Sequence, residues 1–460
     1  MLLGRTQSLC PVCLRRLDAV YERSTEESCQ YEERIFLRKH CPRHGSFSVP
    51  IWQKRRGSNL PSFAAWSRPK TPSFPKQPET GFGEGCPFDC GLCPSHGQHT
   101  CTLLLEITRR CNLACPVCFA DAGNSGNDPA YDDLVSLLAR GRKMAGPCSL
   151  QFSGGEPTLR EDLAALIAKA RELGFSLIQV NTNGLRLADD PSFAARLRAS
   201  GLDSVYLQFD ALTDQSLRRL RGEALRERKR AALAACLQAG LGVVLVSTVL
   251  RGVNEHELGD LLRFALSLGP NVRGLHLQPA TCFGRFPADL VSAPRLTLVE
   301  VMDALVTSAP QLVSPQDFHP PGCEHELCSF SAVYRRLDDG RLERQGRERA
   351  FGGAQATALE GAEASRAHTS LHWKAVSEEV CDCKAGAALS GSDSFSRFLQ
   401  RAGAKRRFTL SAMAFQDALS LDLSRLRGCC IHVLTQSGLR VPFCAHTLTA
   451  CDGTRLFRGR

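Results

Sequence analysis

Apolar runs of strand length alternate with longer amphipathic stretches between residues 102 and about 285. The amphipathic stretches, such as REDLAALIAKARELG at 160–174, are rich in Leu, Ala and Arg at helical spacing. The apolar runs are TLLLEIT (102–108), SLQFSGG (149–155), LIQVNTNG (177–184), SVYLQFD (204–210), GVVLVSTVL (242–250) and GLHLQPA (274–280). Six such repeats predict an α/β fold in which a parallel sheet with crossover helices forms a partial (β/α)6 TIM-like barrel.

The segments outside the barrel differ in composition. Residues 1–50 carry two paired knuckles, CPVC and CPRH, and residues 51–80 read as a Pro-rich linker. Residues 81–101 are dense in Cys, Gly and His, and 286–460 form a cysteine-rich C-terminal region. Within that region the Gly-, Ala- and Arg-rich residues 340–370 predict a flexible insertion, and CDC at 381–383 receives no assignment.

The chain has 460 residues, and 22 of them are cysteine. No run near the start resembles an export signal, and no window approaches the roughly 20 apolar residues that span a bilayer. We therefore expect a cytoplasmic protein without a transmembrane segment, whose cysteines are metal ligands in a reducing compartment.

The formal net charge of +10 has two interpretations. The first is solvated Arg-rich helix faces, such as LRRLRGEALRERKR at 217–230. The second is an anionic partner, such as a phosphorylated substrate, a lipid headgroup or nucleic acid. Aromatic residues make up only 7% of the chain and do not interleave with the basic runs, so no nucleic-acid partner is expected.

The N-terminal knuckles have the spacing of a metal ribbon. They supply Cys10, Cys13, Cys41 and His44. Three thiolates and one imidazole suit a tetrahedral zinc site or a rubredoxin-like iron site. The sequence therefore predicts one mononuclear Zn or Fe in residues 1–50.

A second cysteine pattern follows the first predicted barrel strand. CNLACPVC places Cys111, Cys115 and Cys118 at C-x3-C-x2-C spacing. Three thiolates hold three corners of a [4Fe–4S] cluster and leave the fourth iron open to another ligand. Functional groups of a parallel barrel lie at the carboxyl ends of its strands, where this motif, SGGEPT, TNG and FDA all fall.

This arrangement resembles the radical S-adenosylmethionine (SAM) superfamily. The resemblance implies that the open iron binds SAM and that one electron cleaves SAM to a 5′-deoxyadenosyl radical, which abstracts hydrogen from an unactivated C–H bond. It implies that Gly154, Gly155 and Glu156 contact the methionine moiety of SAM. It also implies that the ribose or carboxylate of SAM lies near Thr182, Asn183, Gln208 and Asp210. For Asp210, capping of a helix is an equal alternative.

The remaining cysteines predict one or two auxiliary [4Fe–4S] clusters. Cys86, Cys90 and Cys93 repeat the C-x3-C-x2-C spacing, with Cys101 as a fourth ligand. A second set consists of Cys323, Cys328, Cys430 and Cys444, with Cys429 as a competitor. Scattered buried thiols are the alternative for that second set.

The N-terminal, central and C-terminal cysteine segments together resemble the superfamily branch of tetraether lipid synthase and hydroxymethylpterin dimethyltransferase-like proteins. The main hypothesis is C–C bond formation on lipid chains, and the alternative is radical methylation of a pterin-like small molecule. A zinc-ribbon binding module is the hypothesis from a different class. The enzyme hypotheses imply a small-molecule or lipid substrate, an electron donor such as flavodoxin or ferredoxin, and, for a lipid, peripheral contact with a membrane.

Overall fold

The computed structural model describes residues 1–26, 28–67, 69–124, 126–337, 341–345, 357–375 and 406–457. Cys381 and Cys383 lie outside these described residues. Among the described helices, none has the length and apolar content that crossing a bilayer would require.

The N-terminal segment is a four-stranded antiparallel sheet. Its strands pair in chain order: β1 (Leu2–Leu9), β2 (Arg16–Arg23), β3 (Tyr31–Cys41) and β4 (Gly45–Arg55). β4 continues past residue 50 into the predicted linker, where Trp52 is buried. The Trp52 ring lies 5.9 Å from the ring of Trp66 in the short helix α1 (Phe63–Trp66), so this part of the linker is packed and not extended.

The barrel has the predicted parallel sheet. Its first six strands are neighbours in chain order: β5 (Thr102–Thr108), β6 (Ser149–Gly154), β7 (Leu177–Thr182), β8 (Ser204–Gln208), β9 (Gly242–Val249) and β10 (Val272–Pro279). The helices that follow them are α2 (Tyr131–Ala145), α3 (Leu163–Glu172), α4 (Leu185–Asp189), α5 (Pro191–Ala199), α6 (Asp214–Arg221), α7 (Arg226–Gln238), α8 (Leu258–Ser267) and α9 (Leu298–Ser308). Buried leucines on the inner faces of these helices cover the outer face of the sheet.

The C-terminal region extends this sheet at both edges. Its elements are β11 (Ser329–Arg336), β12 (Leu342–Arg344), α10 (Ala358–His372), β13 (Arg407–Met413), α11 (Leu423–Arg427), β14 (Ile431–Leu434), β15 (Arg440–Pro442) and α12 (Phe443–His446). β13 pairs parallel with β10, and β14 pairs parallel with β5. The sheet order is β12-β11-β13-β10-β9-β8-β7-β6-β5-β14-β15, so eight neighbouring strands run parallel instead of the predicted six.

The flexible insertion predicted for residues 340–370 is wrong where α10 forms. Thr357 and Glu360 make a reciprocal capping box at the start of this helix, which favours helix over coil. Arg366 donates to two carbonyls at 3.5 Å. One belongs to Thr100, just before β5, and the other to Ala145, at the end of the helix that leads into β6. α10 therefore lies across the N-terminal ends of the strands and closes that end of the barrel.

Candidate active site and metal centres

One cavity of about 740 Å³ occupies the inside of the barrel. The loop that carries Cys111, Cys115 and Cys118 follows β5 and borders this cavity, together with the ends of β6, β7 and β8. Gly154, Gly155, Glu156, Thr182, Asn183 and Gln208 also line it. The structure thus brings the cysteine loop and most of the predicted SAM-contacting residues to one edge of the sheet.

The two glycines of SGGEPT allow the backbone of β6 to approach the cysteine loop. Gly154 has φ of +123°, and a Cβ there would lie 2.2 Å from the carbonyl oxygen of Thr108. A Cβ on Gly155 would lie 2.1 Å from the carbonyl oxygen of Arg110. Backbone hydrogen bonds of 2.8 Å join Gly155 N to Thr108 O and Glu156 N to Arg110 O. A side chain at either position would clash with the backbone of the cysteine loop, so both positions require glycine even without a ligand.

Glu156 is buried and joins the ends of two neighbouring strands. Its Oε1 accepts from the hydroxyls of Thr158 and Thr182, both at 2.6 Å. Its Oε2 accepts from the backbone N–H of Asn183 at 2.7 Å. Asn183 in turn donates to Asn112 Oδ1 at 2.7 Å, beside Cys111. The carboxylate thus organises the ends of β6 and β7 around the cysteine loop.

Asp210 is paired with a buried arginine. The Arg221 guanidinium donates to both carboxylate oxygens of Asp210, at 2.7 and 2.5 Å. Burial raises the pKa of Asp210, but Arg221 outweighs this effect and holds the pKa below its ordinary value. The alternative that Asp210 caps a helix is wrong, because Thr213 is the N-cap of α6. Arg221 also donates to the carbonyl of Val117, within the cysteine loop.

Two further cations near this loop were missed in the sequence. Lys229, in α7, is 1% exposed and donates to Asn183 O at 2.6 Å and to Gln208 Oε1 at 2.9 Å. Burial lowers its pKa to about 8. Arg285, after β10, donates to the carbonyls of Cys115 and Ala122. Arg221 and Lys229 lie in the basic run 217–230, so the prediction of solvated faces is wrong for these two side chains.

The three thiols of the cysteine loop suit a cationic iron–sulfur cluster. Burial raises the pKa of Cys111 to about 11 and raises that of Cys115. Ionised thiolates in such a place need positive charge, which Arg221 and a bound cluster supply. Leu113, Leu185 and other apolar side chains pack around them.

A second metal-binding set faces the same cavity. The sulfur atoms of Cys101, Cys323 and Cys430 all lie within 4.8 Å of one another. Cys101 and Cys430 precede the paired strands β5 and β14, and Cys101 N donates to Cys430 O at 2.8 Å. Cys323 lies before β11, where Gly361 of α10 packs against the backbone of Gly322.

This grouping differs from the predicted assignment of cysteines to two auxiliary clusters. Cys101 lies with Cys323 and Cys430, and not as a fourth ligand for Cys86, Cys90 and Cys93. The structure places Cys328 and Cys444 beside a smaller neighbouring cavity, with Cys429. Cys86 and Cys90 lie close enough for Cys90 to lower the pKa of Cys86 and for Cys86 to raise that of Cys90, and Cys429 also raises the pKa of Cys90. The physical reason is the β5–β14 pairing, which spacing along the chain does not encode.

The N-terminal sheet holds the predicted ribbon ligands together. The ligand atoms of Cys10, Cys13, Cys41 and His44 lie within 4.8 Å of one another. His44 Nδ1 is 3.5 Å from the sulfurs of both Cys10 and Cys41. Desolvation would raise the pKa of Cys41, but backbone N–H groups of Arg43 and His44 and the His44 side chain lower it to about 6. These four groups match the ligand set of a tetrahedral metal site.

Parts of this chain are similar to known families and proteins. Residues 105–265 match the Radical SAM superfamily, and residues 2–53 match the HMPTM N-terminal zinc ribbon domain. The 7,8-dihydro-6-hydroxymethylpterin dimethyltransferase of Methanocaldococcus jannaschii is 28% identical over 96% of this chain and 93% of its own length. The probable GTP 3′,8-cyclase of Methanothermobacter thermautotrophicus is 32% identical over 38% of this chain and 56% of its own length. The crystal structure of Streptococcus suis SuiB bound to S-adenosylmethionine has a TM-score of 0.36 at 18% identity, over 46% of this chain and 48% of that one.

Proposed function

Because residues 105–265 form a radical SAM domain, this chain is a radical SAM enzyme, and we propose that its substrate is a small polar heterocycle of the pterin class. A [4Fe–4S] cluster held by Cys111, Cys115 and Cys118, with SAM bound to it, would supply the radical chemistry that removes a hydrogen atom from a C–H bond. The radical SAM assignment made from CNLACPVC is confirmed. A zinc-ribbon binding module without catalysis is not supported.

The observation that carries the proposal is a row of polar side chains inside the barrel, whose cavity is otherwise lined mainly by apolar surface. Polar side chains from five strands line the cavity: Gln151, Asn181, Gln208, His276, Gln278 and Ser411. Several bond to one another across strands, as when Gln151 Nε2 donates to Gln179 Oε1 at 3.2 Å and Asn181 Nδ2 donates to Gln151 Oε1 at 3.3 Å. Such a ladder of amides presents donors and acceptors of the kind that a nitrogen heterocycle satisfies.

A lipid tail suits this row of polar side chains less well. An alkyl chain would displace water from the amides and offer no hydrogen bond in return, at a cost of about 1–3 kcal/mol for each polar group left unsatisfied. The lipid-coupling hypothesis therefore stays a prediction, as do a cytoplasmic location and peripheral membrane contact. The 28% identity with a protein named as a pterin dimethyltransferase supports methyl transfer as the reaction class.

Two groups of residues border the cavity: one surrounds the cysteine loop, and the other is the set of Cys101, Cys323 and Cys430. Glu156 and Asn183 orient the strand ends that face SAM, and Arg221 and Arg285 fix the cysteine loop. We assign an auxiliary cluster to Cys101, Cys323 and Cys430, because their sulfurs converge and border the substrate cavity. The net charge of +10 supports an acidic one-electron donor such as flavodoxin or ferredoxin.

The test is a substrate comparison with anaerobically reconstituted full-length protein. We expect reduced 6-hydroxymethylpterin, supplied with excess SAM as both the radical source and the methyl donor, to stimulate 5′-deoxyadenosine formation and to be converted to a methylated product, as detected by mass spectrometry. A diacyl or diether lipid supplied in detergent is the matched alternative substrate. Conversion of the lipid with no conversion of the pterin would overturn the proposal. The Cys115→Ala variant should form no 5′-deoxyadenosine with either compound.

A further inference from the structure

The cavity ends, opposite the cysteine loop, on a layer of side chains from β8, β10, β13 and the end of α10. We call these residues the floor cluster: Tyr206, His276, His372, Trp373, Arg407, Thr409 and Ser411. Two groups of these side chains are in contact. Arg407 Nη1 lies 2.7 Å from His372 Nε2, and the Tyr206 ring lies 5.6 Å from the rings of both Trp373 and His276. His276 Nδ1 lies 2.8 Å from Ser411 Oγ.

Three polar groups of this layer have no hydrogen-bond partner in the described parts of the chain. They are His372 Nδ1, Trp373 Nε1 and Thr409 Oγ1, all buried. Because the guanidinium of Arg407 donates to Nε2 of His372, the imidazole is neutral and carries its proton on Nδ1. All three groups are therefore donors. A buried donor without a partner is unfavourable, so a set of three indicates a place that a ligand completes.

The charge at the floor is positive. Arg407 lines the cavity, and burial together with the cations Arg336 and Arg407 lowers the pKa of Arg273 to about 10. Of the cavity-lining side chains that the structure describes, the carboxylates Glu156 and Glu324 lie beside the cysteines and not on the floor. A guanidinium surrounded by neutral N–H and O–H donors is the chemistry that binds an oxyanion.

We propose that the floor cluster binds an oxyanion carried by the substrate, a phosphate ester or a carboxylate, through Arg407, His372, Trp373 and Thr409. This anchor rests on the proposed function, and it names which end of the heterocycle lies on the floor. Tyr206 and Asp210 are four residues apart, which is roughly 13 Å at about 3.3 Å per residue along a strand. A ligand of about that length, anchored on the floor, presents its opposite end to the cysteine loop.

The experiment compares two pterins that differ in charge. Reconstituted full-length protein is dialysed to equilibrium against 6-carboxypterin or 6-hydroxymethylpterin, and binding of inorganic phosphate is followed by ³¹P line broadening. We expect the wild type to bind the carboxylate about 10- to 100-fold more tightly than the alcohol, as a lost charged hydrogen-bond pair predicts. Arg407→Gln should remove this preference and the binding of phosphate, and Arg407→Lys should restore part of both.

The control is Arg406→Gln, which removes the same charge from an exposed neighbour and should keep the preference. An unchanged preference in Arg407→Gln overturns the floor anchor, even if both pterins still bind and the proposed function stands. Failure of both pterins to bind, while phosphate binds in an Arg407-dependent way, overturns the pterin class and keeps the anchor. Absence of phosphate binding as well overturns both. Competition by acetate against phosphate distinguishes a carboxylate from a phosphate ester.

Discussion

At residues 154 and 155 the backbone of β6 passes so close to the loop after β5 that a side chain has no room on that face. The two hydrogen bonds from Gly155 and Glu156 to Thr108 and Arg110 join the segment to the start of the cysteine loop. A methyl group at either glycine must therefore move the cysteine loop, because backbone atoms cannot rotate away as a flexible side chain can.

We predict that Gly155→Ala lowers the rate of reductive SAM cleavage by about 100-fold, since a displacement of about 1 Å at reacting groups has an effect of that size. The measurement is 5′-deoxyadenosine formed per minute by protein reconstituted with iron and sulfide. Gly123→Ala is the matched control, because it lies in the same loop and an added Cβ meets nothing within 4 Å. Equal rates for the two variants would contradict the argument.

Arg221 acts through Asp210, Val117 and Thr248 at the ends of two strands and in the cysteine loop. We predict that Arg221→Met lowers the free energy of unfolding by about 3–5 kcal/mol, because it leaves a buried carboxylate unpaired. The urea midpoint, followed by circular dichroism, measures this loss. Arg219→Met, on the exposed face of the same helix, should change the midpoint little. A double variant that also carries Asp210→Asn should regain much of the loss; no recovery would refute the pairing argument.

At the scale of elements, strand pairing decides which cysteines meet. β14 follows Cys430 and pairs with β5, which follows Cys101, so these two thiols meet although 329 positions separate them in the numbering. α10 brings in the third thiol, because the close contact of Gly361 with Gly322 fixes the backbone next to Cys323. The grouping of these three thiols therefore depends on β14, α10 and the segment before β11, together with the barrel strand β5.

We predict that Cys323→Ala protein contains about four fewer iron atoms per chain than the wild type after reconstitution, which is one [4Fe–4S] cluster. Iron and acid-labile sulfide analyses provide the measurement. Cys236→Ala removes an equally buried thiol from the core and should leave the iron content unchanged. Reductive SAM cleavage should persist in both variants, since neither residue touches the cysteine loop. An iron content in Cys323→Ala equal to that of the control would remove the auxiliary assignment.

At the scale of the whole molecule, the excess of basic residues determines which redox partners the surface attracts. The chain has 57 Lys and Arg against 47 Asp and Glu. Arg221 and Lys229 are buried at the site, but among the described residues more acidic than basic side chains are buried, so a positive excess remains at the surface. The remaining surface excess attracts acidic partners over a distance that salt shortens.

We predict that reduction of the enzyme by flavodoxin, an acidic carrier, slows by about tenfold or more when the salt concentration rises from about 0.05 M to about 0.5 M. Stopped-flow absorbance of the iron–sulfur bands follows the electron transfer. Reduced methyl viologen, a cation, is the control and should not slow over the same range. If both reductants respond alike, long-range attraction between the enzyme and the protein donor is not the cause.

Local chemistry was predictable wherever the ligands of one site are close along the chain. Cys111, Cys115 and Cys118 share one loop, and the ribbon ligands come from two hairpin turns that adjacent strands must bring together. The role of Lys229 was not predictable, because it lies in a run of basic residues that are mostly exposed. Only the position of α7 against β7 and β8 turns that one side chain inward.

The sequence by itself determined the parallel barrel, the radical SAM loop and the metal ribbon, because hydrophobic periodicity and short ligand spacings are local properties of the chain. The tertiary structure alone decided the grouping of Cys101 with Cys323 and Cys430, the burial of Arg221 and Lys229, and the closure of the barrel by α10. Those features depend on pairing and packing between segments that are distant in sequence, and such contacts follow from the shape and polarity of the whole interior.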